Sequence, residues 1–181
     1  ITDLEASGKG FNKGVDLTIE KLFYHKYFVL FTGSIFDAKY RTFAGDIFNS
    51  SFNDSFGGTL TTGREFELKK NKVVQLGFRG ILNGGFRYTP ADIEQSSLLG
   101  FYVPKYSETN KLQAPSYKRI DARIAYRFNG KKTSGQISLD VQNLTGYENY
   151  SRAFYNVSTQ SIEPQRRGTG FTPILSVAVE F

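Results

Sequence analysis

Apolar and polar residues alternate one for one along five stretches of this chain, and a period of two marks a β-strand with one apolar and one polar face. Val15, Leu17 and Ile19 alternate with Asp16, Thr18 and Glu20, and Val74, Leu76 and Phe78 with Gln75 and Arg79. Ile120, Ala122, Ile124, Tyr126 and Phe128 oppose Arg119, Asp121, Arg123 and Arg127. Ile137, Leu139 and Val141 oppose Gln136, Ser138, Asp140 and Gln142; Leu175, Val177, Val179 and Phe181 oppose Ser176, Ala178 and Glu180. Residues 27–41 and 52–62 are β-rich without a clear facing, so seven strands are expected. Charges of both signs on the polar faces suit the surface of a soluble sandwich and the lumen of a barrel equally well.

The connections separate the two. Residues 22–26, 63–72 and 129–133 are short and basic, and Asn129-Gly130 predicts a tight hairpin turn. Between them lie residues 42–51, 87–115 and 146–170, which are long and aromatic. Short turns at one end and long loops at the other are the plan of an outer-membrane barrel. Several strands read as 12 residues or more, long enough for a tilted crossing. Phe23, Tyr24, Tyr27, Phe66, Tyr126, Phe128 and Phe181 fall toward the turns, and Tyr40, Phe43, Phe86, Tyr88, Tyr117 and Phe171 toward the loops, as two interfacial girdles would. The expected fold is all-β: an antiparallel transmembrane β-barrel. Single-chain bacterial barrels have even strand numbers with both termini periplasmic. Seven crossings ending at Phe181 therefore put Ile1 outside, and the chain reads as the C-terminal part of a larger barrel. A complete eight-stranded small barrel, with one strand uncounted, is the alternative.

Composition agrees. The 181 residues include 18 Gly, 17 Phe and 11 Tyr, with no apolar run of the length a spanning helix needs. There is no Cys and no Met, and no charged n-region with an apolar core follows Ile1, so a processed or truncated piece is expected. Without Cys there is neither a disulfide scaffold nor a thiolate metal site. The net charge of +6 concentrates on one rim: Lys21, His25 and Lys26, then Arg64, Lys69, Lys70 and Lys72, then Arg127, Lys131 and Lys132. That rim is expected to meet anionic phospholipid head groups, the plainer reading being solubility. Nucleic acid would instead require bases and stacking aromatics on one surface.

Several segments resemble the late barrel strands of TonB-dependent outer-membrane receptors, particularly the Bacteroidetes-like type. They are residues 8–21 (GKGFNKGVDLTIEK), 31–40 (FTGSIFDAKY), 84–92 (GGFRYTPAD), 119–126 (RIDARIAY), 140–145 (DVQNLT) and the terminal VAVEF. The resemblance spans residues 1–181. It implies the last seven strands of a 22-stranded barrel in the bacterial outer membrane, which takes up a scarce ligand (siderophore, glycan, peptide or cofactor) with energy from TonB. The plug and the upstream strands of such a receptor are absent from this sequence, so transport would belong to the parent protein. Implied partners are outer-membrane lipid, the missing plug and barrel, TonB through the parent, a surface lipoprotein, and the barrel-assembly machinery, with Val177, Val179 and Phe181 as the assembly signal. A soluble lectin-like module remains the rival from another class.

No catalytic constellation emerges, and neither an enzyme nor a cofactor is expected: the single histidine, His25, sits in a turn beside Phe23, Tyr24 and Lys26, a sequence context that suggests neither a general base nor a set of metal ligands. The residues expected to line the lumen against the plug are Gln75, Arg79, Arg119, Asp121, Arg123, Asp140 and Gln142. Ligand contact is expected on the long loops, at Arg87, Tyr88, Asp92, Tyr155, Arg166 and Arg167, where aromatic rings and guanidinium groups suit a sugar, peptide or chelate. Asn49, Asn53, Asn143 and Asn156 begin Asn-x-Ser/Thr triplets, which are common by chance.

Overall fold

A computed structural model describes residues 8–156 and 158–181, the side chains of Tyr24 and Arg152 excepted; Ile1 and the Tyr24 ring thus lie outside the described parts. Twelve strands are assigned. In chain order they are β1 (Lys9–Tyr24), β2 (Tyr27–Arg41), β3 (Ile47–Asn49), β4 (Phe56–Leu68), β5 (Lys72–Asn83) and β6 (Arg87–Tyr88). After the short helix α1 (Ile93–Leu99) come β7 (Leu112–Gln113), β8 (Tyr117–Asn129), β9 (Ser134–Gln142), β10 (Asn149–Asn156), β11 (Ser161–Arg167) and β12 (Thr172–Glu180).

Seven long strands form one antiparallel sheet in the order β1-β2-β4-β5-β8-β9-β12, with β3 a side rung on β2. These are the seven expected strands, each beside the next long strand in sequence. The sheet stays open, with β1 and β12 as its two edges, so the complete eight-stranded barrel does not form. The turns are tighter than expected. His25 and Lys26 alone join β1 to β2, both with positive φ as a type I′ hairpin requires. Residues 63–68, expected in a turn, continue β4, whose Leu68 pairs with Lys72 across a three-residue turn. Asn129 stays in β8, paired with Ser134, and the reversal is made by residues 130–133 with the Gly130 N–H on the Thr133 carbonyl. At the other end, residues 42–55, 84–116 and 143–171 are the long connections and carry β3, the β6-β7 rung with α1, and the β10-β11 hairpin.

The register gathers the apolar positions of the alternating stretches on one face. Across the middle, Ile19 pairs with Phe31, Phe31 with Leu60, Leu60 with Gly80 and Gly80 with Ile120; Ile124 continues to Leu139 and Leu139 to Leu175. Among the described residues nothing covers this face: Val15, Ile35, Leu175 and Val177 are 64–73% exposed. The only buried hydrophobic residues among those described are Ala114, Ala125 and Tyr155, and the largest fully buried side chains are Asn53, Asn143 and Ser96. A soluble domain folds around the reverse arrangement.

At the turn end the same face carries Tyr27, Phe66, Tyr126 and Phe128, interleaved with cations. Lys21 lies over the Tyr27 ring at 4.0 Å and Arg64 over Phe66 at 5.0 Å. Phe23 leaves this band, because a bulge after Lys21 turns it to the polar face, where it stacks on Phe28 at 5.5 Å. Four of the six residues expected in a loop-side girdle leave the apolar face: parity puts Tyr40 and Tyr117 on the polar face, and Phe86 and Tyr88 are drawn into the loops, while Phe43 and Phe171 stay exposed. Toward that end the apolar face carries Lys13, Lys39 and Lys118.

Candidate functional site

The three long connections meet in a crown above one end of the sheet, and buried asparagines fasten it there. Asn53 accepts the Ala38 N–H at 3.0 Å and donates to the Asp37 carboxylate at 3.0 Å and to Asn49 at 2.9 Å. Asn149 bonds both backbone groups of Lys118, at 2.7 and 2.8 Å. Asn143 donates to the Tyr147 and Thr169 carbonyls, at 3.0 and 3.1 Å, closing the base of its loop. An Asn can satisfy a donor and an acceptor of irregular backbone at once, which a strand ladder cannot do for a loop. Burial of Asn53, Asn143 and Asn149 also removes the Asn-x-Ser/Thr triplets they begin as modification sites.

The backbones cross closely in the crown. A Cβ on Gly84 would fall 1.6 Å from the Asp54 carbonyl oxygen, and one on Gly85 1.7 Å from that of Ala114, so both positions admit only glycine. This crossing brings a pocket of 580 Å³ together from three loops far apart in sequence. Phe52, Phe86, Tyr88, Tyr102, Tyr106 and Phe154 supply its rings, with Arg87, Asn110 and Ser151 as polar groups. Phe52 and Phe86 meet edge to face at 6.2 Å, and Arg87 is held by its Nε donating to the Asn53 carbonyl at 3.2 Å. Tyr102 donates to the Thr89 carbonyl, and burial beside Tyr88 pushes its phenol up from the ordinary value. Flat aromatic faces with a few fixed polar groups suit stacking on a ring-shaped ligand.

Of the loop residues expected to bind ligand, Arg87 and Tyr88 line this pocket and four do not. Asp92 caps α1, accepting the Gln95 N–H at 3.1 Å. Tyr155 is buried, Arg166 pairs with Glu148 at 3.0 Å, and the Arg167 guanidinium lies over the rings of Phe86 at 4.2 Å and Tyr117 at 5.3 Å. Phe52, Tyr102, Tyr106, Asn110 and Phe154 were missed, because each is an ordinary loop residue until the fold brings them together.

Asp54 sits under the crown with one carboxylate oxygen, Oδ1, buried and lacking a hydrogen-bond partner. Burial pushes its carboxyl above the ordinary value, opposed by Arg167 and Arg87. An acid raised in the folded state binds protons more tightly there than when unfolded, so the crown gains stability as pH falls toward and through the folded pKa and loses it as pH rises. Asp54→Asn should abolish this dependence. Hydrogen-exchange protection of residues 84–88, corrected for intrinsic rates, should then be flat with pH where the native chain shows more protection in acid; equal slopes would exclude the assignment.

Gln75, Arg79, Arg119, Asp121, Arg123, Asp140 and Gln142 all fall on the polar face, as their alternation requires. Most are engaged with one another. Arg119 bonds Asp121 at 2.6 Å, Asp121 accepts the Asn143 N–H at 2.9 Å, and Nη1 of Arg123 donates to both carboxylate oxygens of Asp140 at 2.8 Å. Gln75 bonds Glu65, which also faces Arg127 at 3.6 Å. Arg79 and Gln142 border a hollow of 360 Å³ over Gly77. Val177 and Val179 lie on the apolar face of edge strand β12, and Phe181 is fully exposed beyond it. No cluster of three His, Cys, Asp or Glu that could hold a metal occurs among the described residues. Comparison with protein-family models, with characterised proteins and with solved structures gives no match, so the reading of the site rests on its geometry.

Proposed function

We propose that this chain is part of the wall of an outer-membrane β-barrel of the TonB-dependent receptor type, whose loop crown captures a scarce ligand outside the cell. The exposed apolar face carries the reading. On β1 the outward positions from Lys13 to Lys21 span eight residues, and on β8 those from Lys118 to Phe128 span ten. At about 3.4 Å per residue and a tilt of about 40° these give a band of about 21–26 Å, the height of the apolar belt of an outer-membrane barrel. The free edges of β1 and β12 would pair with further strands of the same barrel, since orphan backbone groups in lipid cost several kcal/mol each. A plug would lie against the polar face, with Arg79 and Gln142 the groups best placed to meet it. TonB would act through the parent protein, a surface lipoprotein would sit over the crown, and the barrel-assembly machinery would engage β12 and Phe181. The aromatic pocket is the capture site, and a ligand that presents a ring face, such as the C–H face of a sugar in a glycan or the plane of an aromatic chelate, fits its chemistry.

Insertion tests this. The full chain should associate with vesicles so that alkaline carbonate does not extract it, and should show heat-modifiable gel mobility. A chain that stays soluble without detergent would favour the lectin-like module instead. In vesicles containing phosphatidylglycerol, neutralising Lys69, Lys70, Lys131 and Lys132 together should weaken binding markedly, at roughly 1 kcal/mol per charge near an anionic surface. Unchanged binding would leave the basic rim with solubility as its role.

A further inference from the structure

Three glycines stand together on the apolar face, ringed by Leu, Ile and Phe. Gly33 and Gly58 are cross-strand partners on β2 and β4, and Gly80 on β5 lies between Leu60 and Ile120. They floor a depression of 870 Å³, walled by Leu17, Ile35, Phe56, Leu60, Leu82 and Ile120. Its volume falls within the range of sites that hold small ligands, about 300–1,000 Å³.

Neither backbone strain nor crowding accounts for two of the three glycines. None of them has positive φ. A Cβ on Gly80 would meet nothing within 4 Å, and one on Gly58 only carbonyl oxygens at 3.6 and 3.8 Å, which is ordinary contact. What they supply is space. One end of that space is charged. Lys118 lines the depression at its loopward end, opposite Leu82, with its Nζ 5.5 Å from the Tyr147 ring. Lys13 and Lys39 lie further loopward on β1 and β2, four and six residues beyond the rung that joins Lys118 to Leu82, Gly58, Gly33 and Leu17, beside a single carboxylate, Asp37, which Lys39 already pairs at 2.9 Å. Arg119 also borders the depression, but its guanidinium is held by Asp121 on the polar face. The loopward end is therefore left with a surplus of positive charge beside an otherwise apolar trough.

We propose that this depression binds one acyl chain of a phosphate-bearing lipid, the chain lying over Gly33, Gly58 and Gly80 and the head group against Lys118. The proposal rests on the membrane reading above. An acyl chain needs no hydrogen-bond partner, and the trough offers none, because the backbone groups along its floor are used by the strand ladders. The head group needs cations at one end only, which is where they are.

The test is native mass spectrometry of the full chain released from nanodiscs of phosphatidylglycerol and phosphatidylcholine in equal parts. One phosphatidylglycerol should remain bound. Gly58→Val with Gly80→Val fills the trough with residues that suit a strand, and should cut retention about tenfold while gel mobility stays heat-modifiable. Lys118→Gln should retain a lipid but lower the preference for phosphatidylglycerol about fivefold. Retention unchanged in the double valine variant, a preference unchanged in Lys118→Gln, or a dimer mass with no lipid would each overturn the site. A chain that inserts but retains no lipid removes the site and leaves the barrel reading standing; a chain that enters no bilayer removes both.

Discussion

Leu60→Arg should destabilise the membrane-inserted chain by about 2–4 kcal/mol, the cost of arginine near the midplane on the lipid face of a barrel. Leu60 lies halfway along the outward positions of β4, between Phe56 and Arg64, flanked by Phe31 and Gly80 and about 45% exposed. Its neighbour Thr59 faces the polar side, paired with Thr32 and Ile81, and Thr59→Arg should change stability by no more than about 0.5 kcal/mol. Urea titration of the folded fraction in lipid vesicles, read by heat-modifiable mobility, measures both. The contrast between adjacent residues is the decisive quantity. For a soluble sheet with this face in water, arginine at an exposed Leu60 would be nearly neutral, so two equal and small effects would reject the lipid-facing assignment.

Strand facing was legible where alternation is clean and illegible where the two faces share residue types. Stretch 27–41 resisted assignment because its apolar face contains Gly33 while its polar face contains Phe28, Leu30 and Phe36. The C-terminal half of β4 was read as a turn because Arg64, Glu65 and Glu67 look like a loop, although Glu65 faces inward to Gln75 and Glu67 reaches Lys26 at 2.9 Å. The polar-face residues were readable for the opposite reason: charge on every second residue of a strand has one orientation available. The crown was not readable. Its pocket joins Phe52 to Tyr106 and Phe154, a pairing set by crossing loops and glycine contacts that leave no periodic trace. Helix α1 and the β10-β11 hairpin likewise lie inside stretches expected to be irregular.

Buried polar side chains let a crown with few buried hydrophobic residues hold a shape, and Asn143 is the clearest case. This side chain is 1% exposed, donates to two carbonyls that no strand satisfies, and sits at φ +49, where Asn is tolerated better than most residues. Its own N–H is taken by Asp121, so the residue also locks the loop to the charged face of β8. Asn143→Ala leaves the Tyr147 and Thr169 carbonyls without this donor, at about 1–3 kcal/mol each when water cannot replace it, and adds backbone strain of about 1 kcal/mol. Asn143→Gly removes the strain but not the lost bonds, so it should recover only that last part. Hydrogen exchange across residues 143–171 should accelerate in both variants while β8 and β9 stay protected. If protection in the loop is unchanged in Asn143→Ala, the crown is held by its aromatic contacts, and the Arg167 guanidinium over Phe86 and Tyr117 becomes the bond to cut next.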